Sequence, residues 1–262
     1  MSPQRTILFF SLALLCGFST LAPYQSYAEA AKIIPQAAPS KDPRAITALK
    51  KMSDALSSAK SLSFISTAMT PVRVPSGGWI HVFSTAKVDL KRPSHLFIET
   101  GGDAFAQGIY FDGNTFSVIA RDSKFYSQEP MPGSVDNMLD QAASKAGYTF
   151  PFSDVLLSNP YDSWSKDLES ARYIGQSTRG KEKLQHFAFA AKSVDWEVWT
   201  DQKTHLPRMV FVKYVGAERS PTVLIEFNRW KRNPDIADSR FAFHAPADAK
   251  KLPLKSPEGS AK

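Results

Sequence analysis

Asp195-Trp196-Glu197, followed by Trp199, is the arrangement in this 262-residue sequence best suited to catalysis. Residues two apart on a strand share a face about 6.6 Å apart. That falls within the carboxylate separation of inverting glycosidases, and tryptophans commonly stack on sugars. A plainer reading is preferable: if Val194, Trp196 and Val198 face a core, Asp195 and Glu197 simply face water. The histidines, at positions 81, 95, 186, 205 and 244, form no H-x-H or H-x-x-x-H pair, so a metal site is not expected. No G-x-S-x-G occurs. S-x-x-K occurs at Ser57–Lys60, Ser84–Lys87 and Ser163–Lys166, without the S-D-N or K-T-G partners of a Ser-Lys enzyme. Gly77-Gly78 and Gly101-Gly102 read as turns, since neither opens a helix as a phosphate cradle would. No enzyme and no cofactor are expected.

The compartment narrows the chemistry further. Residues 1–28 read as a secretory signal: Arg5 is the positive n-region, an apolar run follows from Ile7, and Ser26-Tyr27-Ala28 is a small-x-small cleavage site. An uncleaved anchor is the weaker reading, because the run is short and is interrupted by Ser11, Gly17, Ser19 and Thr20. Cys16 follows Leu15 rather than the small residue a lipidation signal wants, so it is expected to leave with the leader. A mature periplasmic chain beginning at Glu29 would have no thiol, which excludes disulfides, Cys-ligated zinc and thiol nucleophiles. Its net charge falls only from +7 to +6 when Arg5 is lost. Outside the cytoplasm such a basic surface meets anionic lipid headgroups rather than nucleic acid, although a modest Lys excess also serves solubility.

The elements that must position any site are mostly strands. Asp42-Pro43 is an N-cap followed by proline at the first helical position, and Ile46, Leu49, Met52, Leu56 and Ala59 then recur at helical spacing. From Ser61 the period becomes two: Leu62 and Phe64, Ile80 and Val82, Val88 and Leu90, and Leu96 and Ile98 alternate with polar neighbours. Asp112-Gly113 marks a hairpin. A helical insert follows, capped by Ser134, striped by Val135, Met138, Leu139, Ala142 and Ala146, and ended by Gly147. Short helices are expected at 153–157 and around 162–168. Strands resume at 183–190, 194–201, 206–216 and 222–230, and the pattern closes at Phe241-Ala-Phe-His-Ala-Pro246. Residues 29–41 read as a flexible linker, 42–249 as one domain and 250–262 as a disordered basic tail. The fold class is mainly β (α+β): an antiparallel sheet of about ten strands that must curl, covered by the N-terminal helix and the mid-chain insert.

Between sheet and helices the apolar residues suggest a cavity. Leu49, Met52, Leu56, Met138, Leu139 and Trp164 would form its helical cover. Phe64, Leu96, Ile98, Phe116, Phe187 and Trp196 would form its sheet wall. Phe189, Phe211, Phe227 and Met209 are further apolar candidates for the interior. Burying an acyl chain gains roughly 0.8 kcal/mol per methylene, so a modest cavity would suffice for tight binding of a lipid.

Several motifs together carry a resemblance. They are the 42–53 helix with Ala59-Lys-Ser-Leu-Ser-Phe64, Lys91-Arg-Pro93, Phe111-Asp-Gly113, Pro132-Gly-Ser134, Asp195-Trp196, Leu206-Pro-Arg208 and Phe241-x-Phe243-x-x-Pro246. The set resembles domain-of-unknown-function family 2092, predicted periplasmic proteins that are similar in architecture to the LolA/LolB lipoprotein-carrier superfamily. The resemblance implies a half-barrel closed by helices over an apolar cavity. It also implies a non-enzymatic protein that binds a lipid, the acyl chain of a lipoprotein or another hydrophobic molecule. The alternative is an envelope interaction or stress-sensor module with a protein partner and no small-molecule ligand.

Overall fold

A computed structural model describes residues 40–254 except 76, 104–105, 149–152 and 218–219, with only the backbone of Ala146. The expected signal peptide, most of the linker and the end of the basic tail lie outside the described residues. The first helix, α1 (Pro43–Ser57), starts where the sequence says it should. Asp42 caps it by accepting a bond from Arg44 N (2.8 Å), with Pro43 at the first helical position. Its buried stripe is Ala45, Leu49, Met52 and Leu56.

Six strands follow: β1 (Ser61–Arg73), β2 (Trp79–Lys91), β3 (His95–Gly102), β4 (Gln107–Phe111), β5 (Thr115–Ala120) and β6 (Phe125–Pro130). Asp112 shapes the β4–β5 turn, its Oδ1 accepting from Asn114 N (3.0 Å) and Thr115 N (2.8 Å). The insert comprises α2 (Val135–Ala146), a 3-10 turn (Ser153–Leu156) and α3 (Pro160–Ser165). Ser134 caps α2 through Asn137 N, and Gly147 ends it in the left-handed region at φ 62°. Five more long strands follow: β7 (Leu168–Arg179), β8 (Glu182–Ala191), β9 (Val194–Asp201), β10 (Pro207–Tyr214) and β11 (Thr222–Arg232).

The strands form one open, curved sheet in the order β12-β6-β5-β4-β3-β2-β1-β11-β10-β9-β8-β7, where β12 is Lys250–Lys251. Two meanders, β1–β6 and β7–β11, are joined by β1 pairing with β11, and every neighbour is antiparallel except β12 on β6. The insert lies between the meanders in sequence and ties back to both the sheet and α1. Val135 N donates to Pro93 O (2.8 Å), Arg92 Nη1 donates to Leu156 O (2.8 Å), and Tyr161 N donates to the buried Ser53 Oγ (3.0 Å).

The architecture is as expected, but the strand inventory differs. β6 and β7 carry no clean alternation because each lies near a sheet edge, and the β7–β8 register shifts twice. Residues 241–246 are not a strand; they pack on the face away from the helices, where Phe243 meets Tyr110 and Tyr126 (5.3 Å each) and Phe241 meets His95 (5.2 Å). Order continues past Ala249, because Lys250 and Lys251 satisfy the edge of β6. The expected linker likewise ends early: Ala171 N donates to Ser40 O and Asp42 N donates to Ala171 O, which ties residues 40–42 to β7. The helix expected around 162–168 stops at Ser165, and Leu168 opens β7.

Two predictions follow from the caps. Ser134→Ala should lower stability by about 1 kcal/mol, read as a lower urea midpoint with an unchanged slope; an unchanged midpoint would contradict the cap. Hydrogen bonds from the Arg44 side chain and backbone hold the Asp42 carboxyl at about 2, below its ordinary 3.8. A carboxyl lowered on folding stabilises above its unfolded pKa and loses that contribution as pH falls through the folded value. The stability advantage of wild type over Asp42→Asn should therefore be full above about pH 4 and vanish near pH 2, measured by thermal melts across that window. A gap independent of pH would refute it.

Candidate hydrophobic-ligand site

The inner wall arises from strand alternation. Leu62 and Phe64 on β1 continue through paired rows to Val88 and Leu90 on β2 and to Leu96 and Ile98 on β3. Beyond β3 the wall runs through Ile109 and Phe111 to Phe116 on β5. On the other side Ile225, Val210, Val198 and Phe187 align across β11, β10, β9 and β8, beside Val223, Val212, Trp196 and Phe189. The helices press Leu49, Met52, Leu56, Met138, Leu139 and Trp164 against this wall.

All twelve residues read from the sequence as a cavity lining fall in one contiguous buried cluster, each at most 8% exposed. Aromatic contacts stitch it together. Trp196 stacks on Phe189 (4.2 Å between ring centres) and faces Trp164 (6.2 Å), and Phe116 meets Tyr148 edge-on (6.0 Å). Burial pushes the Tyr148 phenol up to about 12, partly offset by its hydrogen bond to Gln107, which also fixes the end of α2 to β4.

Sequence reasoning missed Trp230 and Met131. Trp230 lies three residues after Phe227, the wrong spacing for one strand face. A bulge opposite Ser63–Ile65, with Arg229 at φ 55°, turns it inward against Phe64 (4.2 Å), and its Nε1 donates to Pro207 O (2.8 Å). Met131 sits just beyond β6, in a segment without a periodic signal. Two other expectations are corrected: Phe211 and Met209 are not interior residues, because Val210 and Val212 take the inward positions of β10.

The cluster reaches the surface at a cleft of about 450 Å³ between α1 and β7–β8. Pro43, Arg44, Thr47, Ala48 and Lys51 line one side, Tyr173, Gln185 and Phe187 the other, with His205 also contributing. Among the twelve, Phe187 lines this cleft. Arg44 sits 4.7 Å over the Tyr173 ring while paired with Asp42 (2.7 Å). The rim is therefore polar and partly self-neutralised, and the floor is aromatic.

Asp195 and Glu197 lie on the opposite face, where they line a separate depression of about 380 Å³ with Arg172, Phe211 and Lys213. His186 donates from Nε2 to Glu197 Oε2 (2.7 Å) and stacks on Trp199 (4.0 Å). The inward turn of Trp196 and Val198 sets this placement. Trp199 is occupied by His186 rather than open to a sugar.

The sequence matches the family described as "Predicted periplasmic protein (DUF2092)" over residues 45–255. No curated protein matches it significantly. Among solved structures, the Mycobacterium tuberculosis lipoprotein LppX is 15% identical with a TM-score of 0.45, covering 75% of this chain and 100% of its own. A LolA superfamily protein from Nitrosomonas europaea is 12% identical with a TM-score of 0.36, covering 76% and 97%. MucB, solved with MucA from Pseudomonas aeruginosa, is 14% identical with a TM-score of 0.42, covering 77% of this chain and 62% of MucB. This chain thus spans less than two thirds of MucB. With the family match extending over most of its length, from α1 to the end of the sheet, the chain belongs to the DUF2092 family of predicted periplasmic proteins.

Proposed function

We propose that this is a periplasmic, non-enzymatic binding or carrier protein for a lipid, a lipoprotein acyl chain or another hydrophobic molecule. The ligand would lie between the sheet and its helical cover. The observation that carries this reading is the convergence of the twelve residues from three helices and five strands on one apolar cluster that meets the surface at the Phe187 cleft. An acyl chain entering there would gain roughly 0.8 kcal/mol per methylene buried. It would displace side chains of α1 and the insert, which pack on the wall through apolar contacts and a few hydrogen bonds.

The cover makes the reading testable. Leu139 is buried on α2, whereas Lys145 is exposed on the same helix and donates to Gln141 Oε1 (2.7 Å). Leu139→Glu should weaken uptake of a fluorescent fatty acid at least about tenfold relative to Lys145→Glu, with circular dichroism confirming that both variants fold. Equal uptake would count against a cavity under α2 and move the protein toward an envelope interaction module.

The periplasmic assignment has its own test. Protein recovered from the periplasm should have an intact mass matching a chain that begins at Glu29. A mass retaining residues 1–28 would refute cleavage of the leader.

A further inference from the structure

The cleft between α1 and β7–β8 differs in charge from two other depressions of the surface. Among the described residues, three of its nine lining side chains are basic, Arg44, Lys51 and His205, and none is acidic. The other two are balanced: Asp89 and Asp235 meet Lys231 and Arg240 in one, and Asp195 and Glu197 meet Arg172 and Lys213 in the other. The floor of the basic cleft joins the apolar cluster through Phe187, against which Tyr173 packs (5.4 Å between ring centres).

Helix geometry builds the basic side. Arg44, Thr47, Ala48 and Lys51 fall at i, i+3, i+4 and i+7 on one face of α1, so two long cations bracket two small side chains. Across from them stand the Tyr173 and Phe187 rings, cross-strand partners on β7 and β8. His205 is held at φ 58° in the turn after β9, its N–H donating to Asp201 O (2.9 Å). Few non-glycine residues adopt that conformation. Asp201 imposes it, its carboxylate accepting from Lys203 N (3.1 Å) and Thr204 N (2.7 Å), and the turn delivers the imidazole to the cleft.

Arg44 is engaged without being used up. Asp42 accepts from its Nε (3.1 Å) and Nη2 (2.7 Å), and a guanidinium offers five N–H donors in a fork. The remaining donors can meet a second set of oxygens. Lys51 is a further cation, and His205 is a donor in either protonation state. A group with several anionic oxygens would make charge-assisted bonds here. A neutral headgroup would lack that assistance, and a cationic one would be repelled.

We propose that this cleft is the headgroup subsite of the ligand pocket and selects an acyl amphiphile with a carboxylate or phosphate head. Lys51, His205 and Arg44 hold the head, and the first methylenes pass between Ala48 and the Tyr173–Phe187 floor. The proposal rests on the ligand reading above and adds the chemistry of the ligand's polar end.

Calorimetric titration of the protein as recovered from the periplasm, freed of co-purified lipid on a hydrophobic resin, tests it with laurate, dodecyl phosphate, glycerol monolaurate and inorganic phosphate. Wild type should bind laurate and dodecyl phosphate at least about fivefold more tightly than glycerol monolaurate. Lys51→Glu should remove most of that difference by weakening the two anions alone. His205→Asn, which keeps a residue type tolerated at positive φ, should remove part of it. Lys50→Glu makes the same charge change on the same helix, where Lys50 pairs with Asp54 (3.2 Å), and should bind all three amphiphiles as wild type. Inorganic phosphate at matched ionic strength should not displace laurate. Unchanged melting curves establish that the variants fold. Equal wild-type affinity for laurate and glycerol monolaurate, or equal effects of Lys51→Glu and Lys50→Glu, would overturn the headgroup subsite and leave the carrier reading standing. Displacement of laurate by inorganic phosphate would overturn it in favour of a free-anion site. Binding of no amphiphile at all would remove the carrier reading with it.

Discussion

The structure depends on one constraint: a wide antiparallel sheet with a continuous apolar face cannot leave that face in water. Twelve strands in an open sheet must curl, and the face so enclosed carries Leu62, Phe64, Leu96, Phe116, Phe187, Trp196 and Phe227, all buried. Strands alone cannot close over it, so helices must. α1 enters before the first strand and the insert before the second meander. Both return to the same face and are pinned there by bonds such as Tyr161 N to Ser53 Oγ. The pairing of β1 with β11, far apart in sequence, merges the two meanders into one wall under one cover.

Local signals in the sequence were strong wherever a backbone group needed a specific side chain. The Asp42 cap, the Ser134 and Gly147 boundaries of α2 and the Asp112-Gly113 turn are all where residue chemistry places them. The twelve residues expected to line a cavity are all buried in one cluster, because alternation and helical stripes report directly which side chains leave water. What escaped notice was set by tertiary context. Phe125-Tyr-Ser-Gln-Glu-Pro130 and the β7 strand look like loops because strands near an edge need little apolar patterning. The bulge at Arg229, which turns Trp230 inward, breaks the very period used to assign faces. Phe211 and Met209 show the converse: apolar type alone does not say which face a residue occupies.

The face away from the helices is finished differently. At one end the C-terminal segment lays Phe241 against His95 and Phe243 against Tyr110 and Tyr126, with the Arg240 guanidinium 3.8 Å above the Phe97 ring. Further along, ion pairs and hydrogen bonds such as Arg179 to Glu226 and His186 to Glu197 occupy the polar side chains. Asp195 and Glu197 belong to this outer surface, which explains why their spacing resembles a catalytic pair: alternation on any half-buried strand yields carboxylates two residues apart. The large apolar cluster thus lies under the helices, and a smaller aromatic one lies under the C-terminal segment on the other face.

Native mass spectrometry with organic extraction, applied to protein purified from the periplasm without detergent, tests the central claim most directly. A co-purifying acyl lipid at near-stoichiometric amount, retained in the gas phase and identified in the extract, is the predicted result. A clean apoprotein that also fails to take up added lipids would contradict the carrier account.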